Sequence, residues 1–214
     1  MKVLALAAAA TLLAGAVLAQ TPPAPAPAAA AAPKAPAAPL VARGTVTSLD
    51  GTTLVIKSDA GPSQTIQLAS AWAVSVLKPV PVTSIQPGSF IGTTEIPQPD
   101  GKGKSVEVHV FAPGIKLGEG HYAWDLRPDT MMTNGTVGTV KQATGGRELE
   151  VTYGASGTRT VTVPGDAPVN LITDGTRDQI KPGVPVFMTL RRAADGTLGA
   201  SSIMIGENGA KPPM

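Results

Sequence analysis

Glu107 and His109 alternate along one short stretch, so both side chains leave the same face of a strand. A second group follows in Gly118-Glu119-Gly120-His121-Tyr122-Ala123-Trp124-Asp125-Leu126-Arg127-Pro128, where Glu119, His121 and Asp125 stand close to one tryptophan. Carboxylates and imidazoles within reach of one another suit zinc or a similar ion. The same residues serve as well to tie a connecting segment down, through a hydrogen-bonded histidine and a packed indole. Glu119, His121, Trp124 and Asp125 are therefore candidate ligand-binding residues, and a structural clasp is the competing reading of His121 and Trp124.

Other motifs fall away on inspection. Gly101-Lys102-Gly103-Lys104-Ser105 ends like a phosphate loop, but position 98 is Gln where that loop needs glycine, and the stretch joins strands. Asn134-Gly135-Thr136 has the form of a glycosylation sequon and reads as a turn at the start of a strand. No serine, histidine and aspartate share a spacing that suggests a triad, so no enzyme, nucleophile or cofactor is expected. Cysteine is absent, which excludes disulfides and thiolate metal sites. The net charge of +2 comes from 17 basic and 15 acidic residues, and with aromatics at 3% it offers no basic groove for nucleic acid.

The elements that must position these residues divide along the chain. Residues 1–19 read as a signal peptide, with cleavage after Ala19, and nothing later has the apolar length of a membrane helix. The expected destination is the periplasm. Residues 20–39 are a Pro/Ala-rich linker. From Leu40 onward, short alternating segments are punctuated by Asp50-Gly51, Asp59-Ala60-Gly61-Pro62 and similar turns.

The pattern then repeats. Arg43-Gly44-Thr45-Val46 is matched by Asn134-Gly135-Thr136-Val137, Ile85-Gln86-Pro87-Gly88 by Ile180-Lys181-Pro182-Gly183, and Asp100-Gly101 by Asp195-Gly196. The last two pairs share an offset of 95 residues. The expected fold is all-β: two tandem small OB-like barrels, at 40–111 and 134–206, joined by a connector at 112–133 and followed by a tail at 207–214. A sandwich built jointly by both copies is the alternative.

The connector, the following Met132-Thr133-Asn134-Gly135-Thr136-Val137, the Ile-x-Pro-Gly turns and the closing Pro212-Pro213-Met214 resemble an uncharacterised family of exported Gram-negative bacterial proteins. The resemblance implies a repeated small β-barrel domain of unknown function and assigns no catalytic residue. The expectation is a non-enzymatic periplasmic binding or scaffolding module, whose partner is an envelope protein or a small solute. A periplasmic metal or small-solute binder using the connector, with His109, is the alternative.

Overall fold

The computed structural model describes residues 38–212. The signal-peptide reading, almost all of the linker and the last two residues lie outside them. The strands are β1 (Val41–Asp50), β2 (Thr53–Ser58), β3 (Ser63–Pro79), β4 (Phe90–Pro97), β5 (Gly103–Phe111), β6 (Gly120–Ala123), β7 (Met131–Ala143), β8 (Gly146–Tyr153), β9 (Gly157–Pro164), β10 (Val169–Asp174), β11 (Pro185–Thr189), β12 (Arg191–Arg192) and β13 (Leu198–Gly206). Short 3-10 turns are the only helical pieces among the described residues. None of them is long or apolar enough to cross a membrane.

The protein is an all-β barrel fold, and the pairing closes two five-stranded rings. In the first ring β1 pairs with β2, β2 with β3, β3 with β13 in parallel, β13 with β11, and β11 with β1. In the second, β7 pairs with β8, β8 with β9, β9 with β5 in parallel, β5 with β4, and β4 with β7. In the first ring a three-strand meander closed by two later strands, with one parallel contact, is OB-like order, and the second ring has the same order with its two closing strands earlier in the chain. Inward residues of alternate parity fill each ring. Leu54, Ile56, Ile66, Ile203 and Ile205 belong to the first core, and Ile91, Val108, Leu149, Val161 and Val163 to the second.

The rings do not coincide with the two sequence copies. Strands β1–β3 of the first copy are closed by β11 and β13 of the second, while β7–β9 of the second copy are closed by β4 and β5 of the first. Neither 40–111 nor 134–206 closes a barrel by itself, and each supplies strands to both rings. A physical reason lies in β3, which runs unbroken for 17 residues, or roughly 55 Å. Its far end pairs with β10, which also lies beside β5 of the second ring, so the chain passes from one ring to the other.

The exchange is symmetric. Leu77 pairs with Ile172, its own counterpart at the offset of 95, so a pseudo-twofold axis passes through this contact. Register extends the correspondence to neighbouring strands: Val186 faces Ile205 and Phe187 faces Met204, as Ile91 faces Val110 and Gly92 faces His109.

Two expected local features change. Residues 112–133 include a strand, β6, laid on β7, and β7 begins at Met131, inside the expected connector. Asn134-Gly135-Thr136 lies within β7, where Asn134 is buried and its amide donates to Gly118 O and to the Tyr122 hydroxyl. Met132, Thr133 and Asn134 are paired to β4 on one side and to β6 on the other, which explains why the stretch is strand and no turn.

Candidate functional site

Where the two rings meet, a cavity of about 580 Å³ opens, lined from both rings and from the connector. Gly92 on β4 and His109 on β5 form part of one wall, and Phe187 on β11 and Met204 on β13 part of the opposite wall. These four are pseudo-symmetric counterparts. Glycine replaces phenylalanine and histidine replaces methionine, so the symmetry fails at the cavity. No β-carbon fits at Gly92, because it would run into the Asn134 side chain.

His109 is fully buried, its Nε2 has no hydrogen-bond partner, and burial lowers its pKa to about 4. It is a neutral imidazole at neutral pH. Glu107, two residues earlier on the same face, places Oε2 4.0 Å from that nitrogen and accepts from the Thr94 hydroxyl at 3.0 Å through Oε1. Burial pushes its carboxyl up to about 7, and the Thr94 hydroxyl and the charges of Arg43 and Arg127 offset only part of this.

The connector closes the cavity from the side. Trp124 is buried between Tyr122 and Phe187, at centroid distances of 6.3 and 6.2 Å, and Met132 packs in the same cluster. Its indole Nε1 is shielded from water and has no partner. Asp125 takes two bonds from Arg43, at 2.8 and 2.9 Å, and the Arg43 guanidinium lies 5.3 Å over Phe187. Trp124 and Asp125 thereby fasten the connector to the first ring, while β6 fastens it to the second.

His121 points elsewhere. On β6 it pairs with Thr133, one residue from Asn134, so it faces away from the cavity and toward the mouth of the second barrel. There Nδ1 lies 2.8 Å from the Thr133 hydroxyl and 3.7 Å from Glu95, and the ring stacks on Tyr153 at 6.0 Å. Burial, then the nearby Arg159 charge, lowers its pKa. Glu95 is completely buried and accepts from Arg159 Nε at 2.6 Å through Oε1. Its pKa is raised by burial, which Arg159 and Thr133 only partly offset. Its other oxygen lies against Gly103, where any β-carbon would collide with the carboxylate.

The four sequence candidates therefore part company. Glu119 and Trp124 line the cavity, whereas Asp125 is engaged by Arg43 and His121 belongs to the barrel mouth. Glu119 also accepts from the Gly154 backbone N–H at 3.0 Å. No three histidine, aspartate or glutamate side chains gather as a metal site among the described residues, so the connector reading of metal binding gains no geometric support.

Glu95 and Arg159 were not legible as site residues from motifs. A comparison of the two copies at the 95-residue offset would have found Glu95: Thr93, Glu95 and Ser105 stand where Met188, Leu190 and Ala200 stand. Thr93 and Ser105 share a buried hydrogen bond of 2.7 Å, so this mouth is polar where the other is apolar. Comparison of the chain with family models, curated proteins and solved structures finds no match, and the chemistry of the site is read from its own residues.

Proposed function

We propose that this is an exported, non-enzymatic binding protein that holds a small solute in the seam cavity between its barrels. The observation that carries the reading is the local failure of pseudo-symmetry: Gly92 and His109 replace the bulkier or softer Phe187 and Met204 where the cavity opens. A volume of about 580 Å³ falls in the range of small-molecule sites, which are mostly apolar with a few placed polar groups. Export rests on the N-terminal sequence and the resemblance. A binding role also agrees with the arrangement of the hydroxyls and carboxylates, which are engaged with one another and not grouped as nucleophile and base.

Protein purified from the periplasm without an affinity tag should carry a small molecule that organic extraction and mass spectrometry detect. A Ser202→Trp variant, which places an indole at the cavity wall, should lose it. Identical extracts from both proteins would remove the support for this site.

A further inference from the structure

We infer that the solute of the seam cavity is an amphipathic organic anion, whose apolar body fills the seam and whose acidic head lies at a gap in the first barrel's wall, beside Arg191 and Arg192. The inference rests on the binding reading above and names the chemical class of its ligand.

The gap emerges when the two rings are compared. In the second ring β4 and β5 stay paired from Ile91–Val110 to Pro97–Gly103, with one bulge after Thr94. In the first, the corresponding ladder joins Val186 to Ile205 and Phe187 to Met204, stops, and resumes only with Arg191–Gly199 and Arg192–Leu198. Thr189 and Ser202, the counterparts of the paired Thr94 and Glu107, are left unjoined. The Leu190 N–H donates to Leu40 O on the β1 side, so by alternation the Thr189 N–H and C=O point into the gap. Thr189 and Ser202 are both exposed, so the free strand edges are open to solvent and to a ligand.

A second cavity, of about 760 Å³, meets the seam cavity at this gap, since Thr189, Arg191 and Ser202 line both. Its charge is one-sided. Arg191 and Arg192 line it together with the hydroxyl residues Thr189, Thr197, Ser201 and Ser202, and no aspartate or glutamate does. Both arginines are exposed, and neither forms an ion pair among the described residues. Arg192 gives one N–H to Gly196 O, and Asp195 in the same turn accepts from the Thr197 backbone N–H. A guanidinium presents paired N–H donors that suit a carboxylate or phosphate. The strand edges at the gap offer both donors and acceptors, so the arginines set the sign of the preferred charge.

The seam supplies the apolar end. Leu117, 51% exposed, is one of two large apolar side chains that stand in solvent among the described residues, and it lines the seam cavity with the half-buried Tyr122 and Met204. A solute that covers them removes apolar surface from water. Glu119, the one carboxylate in that lining, repels an acidic head and so biases it toward the arginine cavity, which has none.

Calorimetric titration of four probes into the full protein separates the two ends. Dodecanoate has the chain and the acid, dodecanol the chain alone, dodecylammonium the chain with the opposite charge, and acetate the acid alone. At low salt, below micelle-forming concentrations, dodecanoate should bind about tenfold tighter than the other chain probes and about a hundredfold or more tighter than acetate. Its advantage over dodecanol should shrink to within about threefold in an Arg191→Gln, Arg192→Gln double variant, and should fall as salt rises from about 0.01 to 0.5 M. The salt response of the native protein tests the charge even where the variant folds poorly. Equal or tighter binding of dodecanol or dodecylammonium would overturn the inference, as would an advantage that survives the double variant or high salt. Chain binding that is indifferent to the acid yet lost in Ser202→Trp would retain the seam site and reject the anion. Dodecanoate binding indifferent to Ser202→Trp would reject the placement of its body in the seam. Failure of all four probes would overturn the ligand class, while the extracted solute still tests the seam by itself.

Discussion

His109 and Glu107 respond to acid in opposite directions, although they are two residues apart on one strand. The unfolded histidine takes up a proton near pH 6.5 and the folded one only near 4, so the unfolded state binds more protons in that window. His109 therefore removes stability as pH falls from 6.5 toward 4. The unfolded glutamate loses its proton near 4.5 and the folded one only near 7, so Glu107 removes stability as pH rises between those values. Each effect is of the order of 3 kcal/mol, and in the native protein they largely cancel. His109→Met, which imports the residue found at position 204, should make the protein gain stability relative to wild type on acidification from pH 7 to 4.5. Glu107→Gln should do the reverse. Urea unfolding at both pH values measures this, and parallel profiles for wild type and both variants would contradict the assigned burial. The ion pairs differ in the same spirit. At neutral pH Arg159→Met strands the fully buried Glu95 and should cost about 3 kcal/mol or more, whereas Asp125→Ala breaks a more exposed pair and should cost under about 1 kcal/mol. Denaturant midpoints of the two variants provide the check, and equal losses would refute the contrast.

At the level of elements, β6 and the turn after it decide how the connector works. Alternation along four residues sends His121 into the barrel mouth and Tyr122 toward the cavity, so neighbours in sequence serve different sites. Trp124 then docks on Phe187 and Met132, and Trp124→Ala should lower stability by about 3–5 kcal/mol through lost burial and the void it leaves. A loss below about 1 kcal/mol in equilibrium unfolding would mean that the indole is not packed as described. Much of this was legible in the sequence. The parity of Glu107 and His109 and the repeated Ile-x-Pro-Gly turns follow from period and turn chemistry. The grouping of Glu119, His121, Trp124 and Asp125 into one site was not. Closeness along the chain stood in for closeness in space, and the register of β6 on β7 turns His121 away from the cavity that Glu119 and Trp124 line.

At the scale of the whole molecule, exchange of strands makes the two barrels one interlocked unit. The repeat anchors led to the expectation of one barrel per copy, but which strands close which ring depends on long-range pairing that no local pattern encodes. The consequence is mechanical as well as functional. Fragments 38–115 and 116–212, produced separately, should each lack the strands needed to close either ring as a monomer, and should co-purify when mixed. Size-exclusion chromatography and thermal melts test it. Two monomeric fragments that each melt cooperatively would contradict the exchange.

The most direct test of the central claim, that ligand binds at the seam between the interlocked barrels, uses the two tryptophans of the chain. Trp124 lines the cavity, whereas Trp72 lies in the first core under Arg177, whose guanidinium sits 4.7 Å from its ring. A proton–nitrogen correlation spectrum of labelled protein should therefore contain two indole signals. Addition of the solute recovered from periplasmic protein should shift the indole signal of Trp124, whose ring lines that cavity, and leave that of Trp72 in place. A spectrum in which Trp72 moves and Trp124 does not, or in which only surface amides respond, would contradict the account.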